Sequence, residues 1–279
     1  MTGARIAADD ARLLALLSAP AALQDLPQIS TLRQVWAQKF HLLDGILRRR
    51  EAKDRLPGAK RLVTPYGTEA RGSVKRETIW DGYKVHFTET CGAQTPNLIT
   101  HVVTTRATVT DVEVLPADHD ALAKRALLPE EHFVDSGYVS GHHIVDAHAR
   151  HVVHLRGPTH ADTGWQRRAE KGFGTETFTI DWDQQHAICP NGKTSIWWAK
   201  ELQREKAVIR VQFSRRDCGP CPMKQDCTRG KRRQLSIQER EVTEALRKRR
   251  AEEQDPLWKT QYKIRAGVEG TISRAVHRS

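Results

Sequence analysis

His132-Phe133-Val134-Asp135, a turn at Ser136-Gly137, a helix from about Ser140 to Arg150 and a strand from Val152 to Leu155 follow one another over few residues. Strand, helix, strand at this spacing closes as a βαβ unit with a parallel pair, since antiparallel neighbours are joined by a hairpin and not by a helical crossover. The chain is therefore expected to be an α/β protein.

On either side the texture differs. Residues 11 to 47 read as helical: Leu13, Leu14, Leu16 and Leu17 lead into Pro20, and Leu32, Val35, Trp36, Phe40 and Leu43 recur at helical spacing. Residues 48 to 61 are charged and hold Pro57 and Gly58, the marks of a linker. Thr78 to Thr90 alternates apolar and polar residues, and Leu98 to Thr105 is rich in β-branched ones. Gly92, Pro96 and Asn97 lie between, so the pair predicts an antiparallel hairpin. A helix from about Pro116 to Leu127 follows. Gly157 to about Ile237 is irregular and rich in Gly, Pro, Trp and Cys. Gln238 to Val276 is helical again, broken near Asp255-Pro256.

Charge narrows the partners. The 279 residues carry 45 Lys and Arg against 34 Asp and Glu, a net charge of +11. The cations are bunched at Arg48–Arg50, Arg215–Arg216, Lys231–Arg233 and Arg247–Arg250, which favours a polyanion such as nucleic acid. No apolar run approaches the roughly 20 residues that span a bilayer. The first ten residues have no apolar core, so no secretory signal is expected and the chain is assigned to the cytoplasm.

In a reducing compartment, closely spaced cysteines read as metal ligands more readily than as disulfides. Cys189, Cys218, Cys221 and Cys227 lie within 39 residues, interleaved with Pro190, Gly192, Gly219, Pro220 and Pro222. A C-x₂-C pair with two further thiolates makes a closed tetrahedral Zn²⁺ site, structural and not catalytic. The alternative is four unrelated buried thiols. Cys91 stands apart as an ordinary half-buried thiol. Trp165, Trp182, Trp197 and Trp198 fall in the same stretch and are expected to give it a core.

Asp135 ends a strand, where open α/β sheets bind ligands, and a carboxylate there can hold Mg²⁺. It can equally cap the turn that follows. Near the C-terminus, Tyr262, Arg265 and Glu269 share one side of a helix. Glu269 could complete a metal site while Arg265 and Tyr262 contact phosphate; an ordinary solvated face with one ion pair is the other reading.

Taken together, Val134-Asp135-Ser-Gly-Tyr138, Trp80-Asp-Gly-Tyr83-Lys84-Val-His86 and the Tyr262-x-x-Arg265-x-x-x-Glu269 spacing resemble bacterial insertion-sequence transposases of the DDE type. The resemblance runs from about Leu13 to His277. It implies an RNase H-like mixed sheet with helices, interrupted by an irregular zinc-binding insertion. In the family, the positions of Asp135 and Glu269 are the second and third members of an Asp, Asp, Glu triad that binds catalytic Mg²⁺ (or Mn²⁺). The implied activity is two-metal phosphoryl transfer on DNA, at element ends and target. The implied division is residues 1–61, a helical segment and linker; 62–156, the first part of the DDE domain; 157–237, the cysteine-rich insertion; and 238–279, the helical part carrying Glu269.

The central strand bearing the first Asp has no counterpart here. Asp9, Asp10, Asp25, Asp44 and Asp54 do not follow β-type runs, and Asp81 lies at the N-terminal end of its strand. The chain thus reads as a fragment cut at both ends and inactive by itself. A homodimer through the missing or C-terminal segments stays open. The other hypothesis is a zinc-stabilised remnant that binds DNA, or regulates transposition, without catalysis.

His142, His143, His148, His151 and His154 crowd one helix and the next strand, but none of them forms an (i, i+4) pair followed by Glu of the kind zinc-binding helices use. They are expected to pack or face solvent.

Overall fold

The computed structural model describes residues 25–43, 46–75, 77–92, 96–160, 164–169, 171–203 and 206–277. Two compact units divide the chain: one is Met1–Phe87 with Val102–Val109, the other Thr88–His101 with Thr110–Ser279. The leucines at 13 to 17 lie outside the described residues.

In the first unit, helix α1 (Pro27–Lys39) starts on a proline, whose fixed φ suits a first turn. It was expected to run on to residue 47. Instead the chain is extended from Phe40, and β1 (Phe40–Leu43) pairs antiparallel with β2 (Ile46–Arg49). The reason lies in the helix's last carbonyls. Arg50 takes two of them, its N–H donating to Lys39 O at 2.7 Å and its Nε to Ala37 O at 2.9 Å. A continuing helix would have used those acceptors itself.

Strands β3 (Arg71–Lys75), β4 (Thr78–Glu89) and β5 (Ile99–Arg106) form a sheet in that order. The expected hairpin is β4–β5, with Ala107 N donating to Gly82 O and Thr90 N to Leu98 O. Lys84 donates from Nζ to Val109 O at 2.8 Å.

The second unit opens its helical part with α2 (Asp111–Lys124), five residues earlier than Pro116. Thr110 and Glu113 form a reciprocal capping box that satisfies the first N–H groups, and this start signal outweighs the proline inside the helix. Strand β6 (Glu131–Phe133) and β7 (His154–Arg156) pair parallel, with His132 opposite Leu155, across helix α3 (Gly141–His151). That is the βαβ unit expected. Ser140 caps α3, and Val152, in the left-handed region at φ 56°, ends it. Leu115, Val134, Val139, Ala147, Val153 and Leu155 make the core between these elements. β6–β7 and β3–β4–β5 are separate sheets among the described residues.

The stretch after Gly157, expected to be irregular, holds five β-strands separated by long loops. A short helix α4 (Trp165–Arg168) precedes the hairpin β8 (Thr179–Asp181) and β9 (His186–Ile188). Then β10 (Trp197–Gln203), β11 (Lys206–Gln212) and β12 (Gln234–Ile237) form an antiparallel sheet. Ile209 and Val211 of β11, with Phe213 just beyond it, face the apolar core, while glycines, prolines and cysteines occupy the connection between β11 and β12. The short helices α5 (Arg215–Cys218) and α6 (Lys224–Cys227) lie between β11 and β12. Phe178, Phe213 and Leu235 are almost fully buried in this second core, and Trp182 and Trp198 pack on it. Trp197 is exposed and Trp165 stacks under Arg229 instead, so only two of the four tryptophans serve the core.

The C-terminal helices are α7 (Arg240–Glu252), α8 (Pro256–Tyr262) and α9 (Gly267–His277), with a 3₁₀ turn at Lys263–Ala266. Asp255 caps α8 at the expected break. Helix α7 packs on α3, and Gly141 is what permits the approach. A Cβ there would stand 2.6 Å from Val242 Cγ1 and 2.8 Å from Leu246 Cγ. No described helix is long and apolar enough to cross a membrane.

Candidate active site and cysteine cluster

Asp135 lies two residues past the end of β6, just beyond Val134, where the sequence placed it at the strand's end. Its carboxylate accepts from Gly137 N at 2.6 Å, so it does cap the turn after the strand. Beside it stands a carboxylate that sequence reasoning missed. Asp111 Oδ2 and Asp135 Oδ1 each lie 2.9 Å from the point where a Cβ on Gly137 would sit. The two oxygens are thus separated by no more than twice that distance, and only glycine leaves room between them. Asp111 becomes visible in the sequence once the Thr110-x-x-Glu113 box is read as a helix start, because it is then the first helical residue.

Two phenols record the electrostatics of this corner. Tyr138 has its pKa raised, first by burial and then by Asp111, Asp135 and Asp118, with Arg265 opposing. Tyr262 is raised by burial, and Asp135 and Glu269 add to the shift against Arg265. Asp135 and Glu269 are therefore both within electrostatic reach of the Tyr262 hydroxyl. That hydroxyl donates to Val134 O at 2.9 Å, fastening the end of α8 to the residue before Asp135. Trp258 stacks on Tyr262 at 5.1 Å with rings 8° from parallel, holding the phenol in place.

Tyr262, Arg265 and Glu269 do not lie on one regular helix; they end α8, sit in the 3₁₀ turn and begin α9. Arg265 nonetheless pairs with Glu269 at 2.5 Å, the (i, i+4) contact expected of an ordinary helix face. Nearby, Thr271 Oγ1 donates to Glu89 at 2.6 Å. Among the described residues no three His, Cys, Asp or Glu are grouped so as to hold a metal ion. Of the other acids considered, Asp9, Asp10 and Asp44 lie outside the described residues. Asp54 closes a 3₁₀ turn and Asp81 lies inside β4, opposite Gly72.

Cys189, Cys218 and Cys227 pack against the second core, but among the described residues no three cysteines are grouped so as to hold a metal ion, so the expected zinc cluster is not formed as such. Burial raises the Cys227 thiol to about 11, Arg233 opposes this, and Cys218, Cys189 and Cys221 each raise it further. All three partners named by the spacing are thus close enough to act on Cys227. Sulfurs also accept hydrogen bonds, Cys189 from Lys193 N and Cys218 from Arg233 N at 3.4 Å, and Cys221 from Asn191 Nδ2 at 3.6 Å. Cys91 is half-buried, and burial raises its thiol.

The crowded histidines pack, as expected: His148 lies 5.0 Å from His154 ring to ring, and His143 Nδ1 is 3.3 Å from Tyr138 O. The closest pair was not foreseen. His119 Nε2 lies 3.0 Å from His132 Nδ1, a buried contact between residues of α2 and β6 that no local spacing announces. Burial lowers both to about 4, and both are neutral near pH 7.

Comparison with known families bears on this architecture. Residues 188–279 match the family model described as Transposase DDE domain. Over that third of its length the chain is similar to the transposase DDE domain, the class its motifs resemble. The match starts one residue before Cys189 and takes in all four clustered cysteines, Tyr262, Arg265 and Glu269; Asp135 lies outside it. Comparison with curated proteins and with solved structures gives no match.

Proposed function

We propose that this chain carries part of the strand-cutting site of an insertion-sequence transposase, with Asp135 and Glu269 as two of its three carboxylates. The observation that carries this reading is the Tyr262 hydroxyl on Val134 O, since it ties the segment leading to Glu269 against the strand end that bears Asp135. The family match through Glu269 supports DNA as the substrate.

Hard carboxylate oxygens are the donor chemistry that Mg²⁺ or Mn²⁺ takes. Asp135 and Glu269 would hold the cation, which would activate a water or 3′-hydroxyl and stabilise the leaving oxygen of the phosphodiester. The chain's own residues do the positioning. Gly137 N fixes one oxygen of Asp135, and Arg265 orients Glu269. Arg265 and Tyr262 are the candidate contacts to the DNA backbone, where a guanidinium suits phosphate. The first Asp of the triad is unassigned, so the chain by itself is expected not to cut.

A second reading has its own support. Glu269 is engaged by Arg265 and Asp135 by Gly137, which fits a zinc-stabilised DNA-binding remnant or regulator. In both readings Cys189, Cys218, Cys221 and Cys227 hold one structural Zn²⁺ as thiolates, which the N–H donors on three of the sulfurs would favour.

Purified chain with Mg²⁺ or Mn²⁺ and DNA bearing the element's ends should nick no more than background. Cleavage that Asp135→Ala abolishes would show that the third carboxylate is present after all, and Asp111→Asn would then test the nearest candidate. Cleavage that survives Asp135→Ala would sink the assignment of Asp135.

A further inference from the structure

The cysteine-rich segment is far more basic than its size requires. Between Arg215 and Arg233 the chain has seven Lys and Arg against Asp217 and Asp226. One of the seven has a structural task. Arg233 is buried, donating from Nη1 to Cys227 O at 2.9 Å and from Nη2 to Phe173 O at 3.2 Å. Thr228 Oγ1 donates to Arg232 O and accepts from Gly230 N, so the loop from Thr228 to Arg233 is tied at both ends. Arg215 and Lys231 are exposed and Arg232 half-buried, and none of the three forms an ion pair among the described residues.

These side chains border a common hollow of about 480 Å³, lined by Arg215, Lys231, Arg232 and Arg233 with Thr228 and Gln166 among the neutral groups. No carboxylate lines it. Beside it, Arg229 lies over the Trp165 ring at 4.7 Å. A concave surface with several cations, neutral hydrogen-bonding groups and no acid is built for a polyanion's phosphates.

We infer that the hollow between α5 and the Thr228–Arg233 loop is a duplex-DNA backbone contact, with Arg215, Lys231 and Arg232 on successive phosphates. This rests on the reading of the chain as a DNA-acting protein and adds where it grips. The contact is sequence-independent, because its groups are point charges and forks suited to phosphate and not to base edges.

The test uses the full chain, binding to duplexes of unrelated sequence across a salt series. The variant Arg215→Gln/Lys231→Gln/Arg232→Gln is compared with a control of equal charge change at exposed cations of the first unit, Lys53→Gln/Arg55→Gln/Lys60→Gln. The hollow variant should bind every duplex at least about tenfold more weakly, and its log–log salt slope should be shallower by about 3, near 0.9 per lost phosphate contact. The control should stay within about twofold of the parent. Lys231→Gln alone, in an exposed loop position, should lower the slope by about 1 and guards against misfolding of the triple variant. Unchanged binding by the hollow variant, or equal loss in both variants, overturns the inference and leaves the DNA reading standing. So does tighter binding to RNA than to duplex DNA. A parent chain that binds no duplex at all overturns both.

Discussion

The βαβ region and the cysteine-rich region close their cores by different means. Around β6 and β7, an apolar set from Leu115 to Leu155 is wrapped by α2 and α3, and the connectivity of strand, helix and strand brings the pieces together. Around β11, Phe178, Phe213 and Leu235 are as deeply buried, but the connections β9–β10 and β11–β12 are long and hold four thiols and a buried arginine. Local connectivity organises the first core. The second draws on side chains far apart in sequence, and with the proposed zinc it would be the more sensitive to loss of that ion.

Zinc removal should separate the two most sharply. Structural zinc in small modules contributes on the order of 10 kcal/mol to folding, so a chelator, or Cys227→Ser, should unfold the cysteine-rich region and expose it to protease. Protection of the β6–β7 region in hydrogen exchange should persist. Purified protein without zinc, or a chelator without effect on stability, would erase this difference.

The converse experiment is Leu155→Ala. Leu155 is 1% exposed in the first core, and truncating it should cost about 2–5 kcal/mol in denaturant unfolding while zinc content stays the same. If zinc is lost as well, the regions are one cooperative unit.

Acid should act through the His119–His132 pair. Both pKa values lie below the ordinary 6.5, so the unfolded chain binds more protons than the folded one between about pH 6.5 and about 4. Stability from this source is complete above that window and declines as the pH falls through it, by up to about 3 kcal/mol per histidine. Burial is the dominant cause; for His119, His151 and His143 add to it while Asp120 and Asp146 oppose. Thermal melts at pH 7 and pH 5 should differ, and His119→Leu/His132→Leu should flatten that slope. An equal slope in the double variant would locate the proton uptake elsewhere.

The smallest effect belongs to Tyr262→Phe. It removes the donor to Val134 O while keeping the ring stacked on Trp258, and should cost about 1 kcal/mol. No change in stability, measured beside Leu155→Ala, would show that this tie adds nothing to the strand end.

Much of the architecture was legible from residues close in sequence. The βαβ unit, the β4–β5 hairpin, the Asp255 break and the placement of Asp135 after a strand all follow from periodicity, turn residues and capping, whose range is a few residues. The same local reasoning extended α1 too far, because Arg50 claims the last carbonyls only once the chain has doubled back. It also treated residues 157–237 as irregular, since the strands there are short and their turns dominate the composition.

The sequence alone determined which groups could do chemistry: two carboxylates in motif context, four cysteines at metal-ligand spacing, and clustered cations. Tertiary structure decided which of them meet. It set Asp111 beside Asp135 across Gly137, joined the Tyr262 hydroxyl to Val134 and paired His119 with His132. These contacts join residues 13 to 128 positions apart, and the side-chain pattern along a chain encodes the face a residue presents without naming the distant partner that will cover it.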